Sequence, residues 1–140
     1  MRKRSTSESG ASAVEFALVL PLLLSVLFFA IDFSWMFYAD LQVANAARDG
    51  ARFGAVAPQG SVESEAEARA EAIVSAMPGM TGAVSATAAC VFPSVEDANV
   101  TVTVTYDFEP LVGFVFLLNV NLFKQLQAQA TMHVENGTGC

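Results

Sequence analysis

The pattern of apolar and polar positions divides the chain into one long apolar segment near its start and a series of shorter alternating segments after it. Residues 16–31 contain no charged side chain, and the apolar character continues past Asp32 to Tyr38. About 20 mostly apolar residues are enough for a helix to cross a bilayer. The segment therefore predicts a transmembrane helix, and Pro21 within it predicts a kink or a loosened turn, because proline removes one helical hydrogen bond.

The charges on the two sides of this segment differ in sign. Arg2, Lys3 and Arg4 precede it, whereas the far side is acidic. Because basic residues collect on the cytoplasmic side of a membrane helix, we expect a cytoplasmic N-terminus and an extracytoplasmic C-terminal part. Trp35 and Tyr38 then fall at the outer interface, where aromatic belts form.

Beyond Tyr38, small side chains recur every three or four residues and predict that the helix continues into the aqueous phase with one closely packing face. The residues assigned to this face are Leu41, Ala44, Ala47, Arg48, Ala51 and Ala55. The Ala-Pro-Gln-Gly run at 57–60 should end the helix.

A second helix is predicted over residues 61–77, which are rich in alanine and glutamate. Ser61 or Ser64 is the expected N-cap, and Ser64 with Glu67 matches the capping-box spacing. Four glutamates occupy its first half: Glu63, Glu65, Glu67 and Glu71. We expect their spacing to scatter them around the helix axis, so that they form a solvated face rather than a metal site. The Pro-Gly pair at 78–79 should end the helix.

The remaining chain predicts an antiparallel sheet. Residues 100–108 alternate strictly between apolar and polar side chains, which is typical of a half-buried strand. Segments 83–92 and 126–135 are the expected partner strands, joined by a turn over 93–98 and a longer connection over 110–124. The apolar run 111–118 is too short for a second span, so it predicts either a core helix, the interpretation preferred here, or an exposed subunit-contact patch.

The predicted fold class is α+β, with a long N-terminal transmembrane helix that continues into a small domain containing a second helix and a roughly three-stranded antiparallel sheet. A chain of 140 residues has room for one such domain. The predicted boundaries are a basic leader at 1–10, the transmembrane helix at 11–38 and an exported domain at 39–140. The formal charge of -7 argues against nucleic acid or anionic lipid as a partner of the exported part, and loss of the leader makes the balance more negative still.

Side chains with catalytic or metal-binding chemistry are sparse. The single histidine, His133, falls in the last predicted strand, where an edge-strand surface position is expected. The sequence has no Ser-His-Asp order, no phosphate-binding loop and no cysteine pair at zinc spacing. We therefore predict a protein that is not an enzyme and that needs no metal and no cofactor; a membrane-tethered enzyme is the weakest alternative.

Glu15 interrupts the apolar character at the start of the transmembrane segment. A carboxylate in the first helical turn is favoured by the helix dipole and can sit at headgroup level, but its surroundings suggest more. A basic, serine-rich leader ends in Gly10, and Glu15 is the fifth residue after it, followed by Phe16. This arrangement resembles the prepilin-peptidase signal of type IV pilin-like proteins, in which the leader is removed after a glycine.

A wider resemblance joins residues 14–23 to the block Ala-Ala-Arg-Asp-Gly-Ala-Arg-Phe at 46–53. Together the two blocks resemble the TadE-like pseudopilins of tight-adherence, or Flp-type, pilus systems. The major Flp pilins carry Glu-Tyr where this chain has Glu15 and Phe16, and they are much shorter. The resemblance therefore implies a minor pseudopilin that takes part in pilus assembly for surface adhesion.

The resemblance also implies a processing site and a set of partners. Cleavage is expected between Gly10 and Ala11 by a prepilin peptidase, after which Glu15 would meet the free amino group of Ala11 in an adjacent subunit. Phe16 belongs to the same assembly segment. The other implied partners are further pilins or pseudopilins, the pilus assembly machinery and membrane lipid around the N-terminal helix, in a bacterial cytoplasmic membrane.

Three alternatives remain open at the level of sequence. A secretory signal peptide fits poorly, because the apolar run is too long and the small triplet at 55–57 lies far beyond it. An uncleaved membrane anchor is possible without a prepilin leader. A stable single-pass anchored binding protein, with a small extracytoplasmic domain that recognises a ligand, is the main alternative function.

Two residue pairs complete the candidate sites. Arg48 and Arg52 lie one helical turn apart and are either a docking patch for an acidic neighbouring subunit or partners in salt bridges to Asp49 or the acidic segment that follows. Cys90 and Cys140 are the only cysteines, and both fall on the exported side, where disulfides form.

A Cys90–Cys140 disulfide is compatible with the predicted sheet. The first and third strands of a meander end at the same side, about 10 Å apart. The five-residue tail at 136–140 can span that distance at about 3.3 Å per residue. A free C-terminal thiol and an intersubunit bond are the alternatives.

Overall fold

The computed structural model describes residues 8–92, 98–112 and 125–135. It contains two helices, α1 (Glu8–Ala55) and α2 (Val62–Ser75), followed by three strands, β1 (Val84–Val91), β2 (Asn99–Asp107) and β3 (Gln125–His133). The predicted α+β class, with a long apolar N-terminal helix, a second helix and a three-stranded antiparallel sheet, is confirmed. The strand bounds differ from the predicted ones by one or two residues.

Helix α1 has 48 residues and is therefore about 72 Å long. Among the residues that the structure describes, it is the one helix long and apolar enough to cross a membrane, and none of its most apolar window is buried. The helix continues through Pro21, and the Ser25 hydroxyl donates to the Pro21 carbonyl at 2.7 Å. The first part of α1 thus has the length and composition of a single membrane anchor.

The second part of α1 packs into the domain. Its buried positions are Ala39, Val43, Ala46, Ala47, Gly50, Ala51, Gly54 and Ala55. The predicted packing face was partly wrong, because Leu41 and Arg48 are exposed. Leu41 lies two residues from both Ala39 and Val43, or about 200° around the helix axis, so it must point away from the buried stripe.

Helices α1 and α2 approach closely at two glycines of α1. A Cβ atom at Gly50 would lie 2.8 Å from the Ala66 carbonyl oxygen, and one at Gly54 would lie 2.7 Å from the Ala66 Cβ. Glycine is therefore required at these positions for the helices to reach this separation. The alanine-rich stripe of α2, which includes Ala66 and Ala70, is fully buried against them.

The sheet has the strand order β1-β2-β3, and both pairs of neighbours are antiparallel. The central strand β2 alternates as predicted. Its inner face buries Val100, Val102, Val104 and Tyr106. Its outer face carries threonines that pair across the sheet, as in the 2.9 Å contact between the hydroxyls of Thr101 and Thr131.

Helix α2 starts and ends close to its predicted bounds, but its N-terminus is built differently. No side chain caps it: the Ser61 hydroxyl donates to the Pro58 carbonyl, and the Ser64 hydroxyl donates to the Ser61 carbonyl. The predicted capping box of Ser64 and Glu67 is therefore wrong, since Ser64 lies inside the helix and Glu67 bonds elsewhere. After the helix, Gly79 adopts a φ of +83° beside Trp35.

The apolar run 111–118 was expected to join the core. Leu111 and Val112 contradict this expectation, because both are exposed. Residues 113–118 lie outside the described part of the chain.

Candidate assembly surface

The N-terminal part of α1 presents the residues implied in cleavage and assembly on an open helix. Gly10 and Ala11 are helical, so the predicted scissile bond lies in the first turns of α1. Glu15 and Phe16 are both exposed. Within the described ranges no side chain or backbone group pairs with the Glu15 carboxylate, which leaves it available to a group from another molecule.

The apolar surface around Glu15 is continuous. Large apolar side chains stay exposed along α1 on all of its sides: Val14, Phe16, Leu18, Val19, Leu22, Leu23, Val26, Leu27, Phe29, Ile31, Phe33 and Phe37. In water such a surface is unfavourable, at roughly 25 cal/mol per Å² of apolar area. Lipid, or the same helix of neighbouring subunits, has the chemistry to cover it.

Arg48 and Arg52 form an exposed basic pair on α1, facing away from α2. Each lies two residues from a buried glycine, Gly50 or Gly54, and so points to the opposite side of the helix. Asp49 does not bridge to either arginine; Arg69 of α2 binds it, with 3.0 Å between Nε and Oδ2. In the part of the chain that the structure describes, neither arginine of the pair has an ionic partner.

Three of the four α2 glutamates bond to β1. Glu67 and Glu71 are half-buried instead of lying on the solvated face that was expected, whereas Glu63 is exposed as predicted. The carboxylates of Glu71, Glu67 and Glu63 accept hydrogen bonds from the backbone N–H groups of Ala86, Ala88 and Cys90, at 3.0, 2.8 and 2.8 Å. Because β1 is an edge strand, these N–H groups point away from β2 and would otherwise be unpaired. We name this set of three bonds the glutamate ladder.

The glutamate ladder had a signal in the sequence that was misread. Glu63, Glu67 and Glu71 are spaced four residues apart, so they share one face of the helix instead of being scattered around its axis. Glu65, which is out of this spacing, is exposed. The spacing of the three carboxylates along α2 is close to the spacing of the N–H groups that they bind on β1. Four helical residues advance about 6 Å, and two strand residues advance nearly 7 Å.

Asp32 is a site that the sequence reasoning passed over. It is the one buried charged residue in the described part of the chain, with 3% of its surface exposed. Its Oδ1 accepts the backbone N–H of Val112 at 2.8 Å, while its Oδ2 has no hydrogen-bond partner there. A single carboxylate in the apolar helix thus fastens the loop after β2 to α1.

A cavity of about 660 Å³ lies beside this fastening. Its lining is mostly apolar: Ala30, Ile31, Ser34, Trp35, Tyr38, Pro78 and Leu111. The rings of Trp35 and Tyr38 stack with their centroids 5.3 Å apart. The cavity therefore sits where the apolar part of α1 meets the domain.

The other candidate residues occupy simpler positions. His133 lies on the edge strand β3, as predicted, with Nδ1 at 3.3 Å from the Asn99 Oδ1. Cys90 lies on the inner face of β1, packed against the core. Its expected partner Cys140 lies outside the described residues, so the disulfide stays a prediction. No group of three or more potential metal-ligand side chains occurs within residues 8–92, 98–112 and 125–135.

Comparison with known proteins gives one match. Residues 10–52 match the family model described as TadE-like protein. Neither the curated proteins nor the solved structures contain a match to the chain. The matched range covers Glu15, the basic pair Arg48 and Arg52, and the close-packing Gly50. Over residues 10–52 the chain is therefore similar to the TadE-like protein family.

Proposed function

We propose that the protein is a minor pseudopilin, anchored in a bacterial cytoplasmic membrane by α1, that takes part in assembling a tight-adherence pilus. The observation that carries the proposal is the change in the surroundings of α1 along its length, from an exposed apolar part to a part packed in the domain. Its N-terminal part is apolar on all sides and exposed, and the Glu15 carboxylate there has no partner among the residues that the structure describes. Its C-terminal part is built rigidly into a small domain, so that one continuous helix joins the two.

In this proposal a prepilin peptidase cuts between Gly10 and Ala11 and releases the basic leader. The first turns of α1 must open for the bond to enter a peptidase site, and a glycine there lowers the helical preference by about 1 kcal/mol relative to alanine. The new amino group of Ala11 then lies one helical turn from the Glu15 of its own chain. In an assembly it would be neutralised by the Glu15 of an adjacent subunit.

The ion pair between the Ala11 amino group and the Glu15 carboxylate of an adjacent subunit would stabilise the assembly. When two charges are enclosed by apolar helices, each must be matched, and loss of one partner of a fully buried pair costs about 3–5 kcal/mol. Glu15 thus favours one axial register between neighbouring helices. Arg48 and Arg52, exposed and without an ionic partner in the described chain, offer a second contact to the acidic surface of a neighbouring domain.

The proposal is tested by Glu15→Ala in cells that carry the rest of the pilus system. Processing should continue, because the cut lies five residues before the changed position, whereas pilus assembly should fail. Val19→Ala is the matched control, since it shortens an exposed side chain one turn further along and leaves the carboxylate in place. The readouts are the mass of the chain in membranes and the number of pili per cell by electron microscopy.

Two results would contradict the proposal. Normal piliation by Glu15→Ala would remove Glu15 from the assembly mechanism. Normal piliation after deletion of the whole coding sequence would remove the protein from pilus assembly and favour a stable membrane-anchored binding protein.

A further inference from the structure

We propose that the loop Glu109–Val112 is a second membrane contact, which sets the domain against the leaflet on its own side of the bilayer. We call these residues the foot loop. The proposal rests on the proposed function in one respect, namely that α1 spans the membrane. It adds a lipid-binding element in the globular domain, far along the chain from the anchor.

The foot loop is fixed at both ends and apolar in between. The Thr81 hydroxyl donates to the Glu109 carboxylate at 2.9 Å, and the Val112 N–H donates to Asp32 at 2.8 Å. Between these two bonds lie Pro110 and Leu111. Leu111 is 65% exposed and Val112 is 42% exposed. Two large apolar side chains are thus held at the surface instead of turning into the core.

The level of the foot loop along α1 identifies the partner as lipid. Leu111 lines the same cavity as Ala30 and Ile31, in the charge-free part of the helix. At 1.5 Å per residue, Ala30 lies about 7.5 Å deeper along the axis than Trp35. Structures that rest in the interface bury their apolar faces to about 5–10 Å, so the foot loop lies at an interfacial depth.

The surface of α1 beside the foot loop is also apolar and exposed. Phe33 and Phe37 are about half exposed, and they extend the apolar surface outward past the level of the foot loop. Trp35 and Tyr38, stacked on the cavity wall, have the mixed apolar and polar character of interfacial anchors. The apolar band of the anchor and that of the foot loop are therefore continuous.

Asp32 provides a hydrogen-bond acceptor for a backbone N–H group of the foot loop at this depth in the membrane interface. An unpaired N–H group in a lipid environment is costly, and the carboxylate satisfies that of Val112. The same bond encloses the carboxylate, which is 3% exposed, within protein. This accounts for a charged residue directly after the charge-free run 16–31, and Asp32 is accordingly a positioning residue for the foot loop.

The test places one fluorescent reporter at a time in the full chain. Trp35→Phe removes the only tryptophan, and Leu111→Trp then makes the foot loop the sole emitter. The protein is reconstituted into vesicles of phosphatidylethanolamine and phosphatidylglycerol, with plain or brominated acyl chains. Matched reporters in the same background are Leu23→Trp, in the anchor, and Val56→Trp, beyond the far end of α1.

Leu111→Trp should lose most of its emission in brominated vesicles, as Leu23→Trp does, while Val56→Trp should keep it and respond to iodide in water. Adding Asp32→Ala to Leu111→Trp should weaken the quenching by brominated lipid, because the loop loses its fastening. Asp32→Asn keeps an oxygen acceptor for the Val112 N–H, so it should preserve the quenching of Leu111→Trp by brominated lipid.

Other outcomes overturn the inference. A Leu111→Trp reporter that is quenched by iodide but not by brominated lipid places the foot loop in water. One that is shielded from both quenchers places it against protein, as in a contact between copies. In either case quenching of Leu23→Trp shows that α1 still spans the bilayer, whereas an unquenched Leu23→Trp contradicts the membrane anchor itself.

Discussion

At the scale of single residues, two glycines set the distance between α1 and α2. Gly50 and Gly54 face the backbone and side chain of Ala66, with no room for a Cβ atom. The block Ala-Arg-Asp-Gly-Ala-Arg-Phe-Gly at 47–54 thereby has two faces. Its small residues pack inward, and its arginines, Arg48 and Arg52, point outward.

Gly50→Val should destabilise the domain by about 1–3 kcal/mol, because the added carbons meet the Ala66 carbonyl oxygen and force the helices apart. Asn45→Val is the control: it places the same β-branched side chain at an exposed position of the same helix and should change stability by no more than about 0.5 kcal/mol. Thermal unfolding of the full chain in detergent, followed by circular dichroism, measures both. Equal stability of the two variants would contradict the tight contact.

At the scale of elements, the two edges of the sheet differ in what lies against them. The outer edge of β1 is covered by the glutamate ladder, which occupies N–H groups that could otherwise pair with another strand. The opposite edge, β3, carries alternating glutamines, Gln125, Gln127 and Gln129, on its outer face. Helix α2 thus serves both as a core element, through its alanines, and as an edge cover, through its glutamates.

Glu67→Ala should expose the middle of the β1 edge and lower the free energy of unfolding by about 1–2 kcal/mol, as expected for a partly exposed bond to a charged group. It should also speed amide hydrogen exchange at Ala88. Glu65→Ala removes an exposed glutamate that lies outside the ladder and should leave both measurements unchanged. Unchanged exchange at Ala88 in Glu67→Ala would show that the ladder does not protect the edge.

The sequence predicted the elements far better than the contacts between them. The strict alternation of β2 and the Pro-Gly stop after α2 are local signals, and both were confirmed. The bond between Asp32 and Val112 joins residues 80 positions apart and depends on where the domain packs on α1, which no local pattern records. The capping-box prediction failed for a similar reason, since the Glu67 carboxylate accepts a hydrogen bond from the Ala88 N–H of β1.

At the scale of the whole molecule, one helix has the length and apolar composition of a membrane anchor in its first part and packs into the domain core with its second part. The register of the sheet brings the end of β1 and the end of β3 to one side, because Val91 and His133 both lie opposite Asn99. The Glu135 N–H then bonds the Ala55 carbonyl at 3.0 Å, so the chain returns to the end of α1. This arrangement supports, without testing, a link between Cys90 and the C-terminal tail.

A Cys90–Cys140 disulfide would close a loop of about 50 residues and stabilise the domain by roughly 2–4 kcal/mol. We expect the unreduced monomer, alkylated under denaturing conditions, to gain no alkyl group, and the reduced protein to gain two. Two alkylated thiols in the unreduced monomer would show that the bridge does not form. A dimer that separates on reduction would show an intersubunit bond instead.

The central claim, that the chain is a processed pseudopilin, is tested most directly by the N-terminus of the protein extracted from membranes of cells that contain a prepilin peptidase. Sequencing should begin at Ala11, and the intact mass should lack the first ten residues. In cells without the peptidase the chain should keep its leader. A chain that begins at Met1 in the presence of the peptidase, or that begins beyond the apolar run, would contradict the claim.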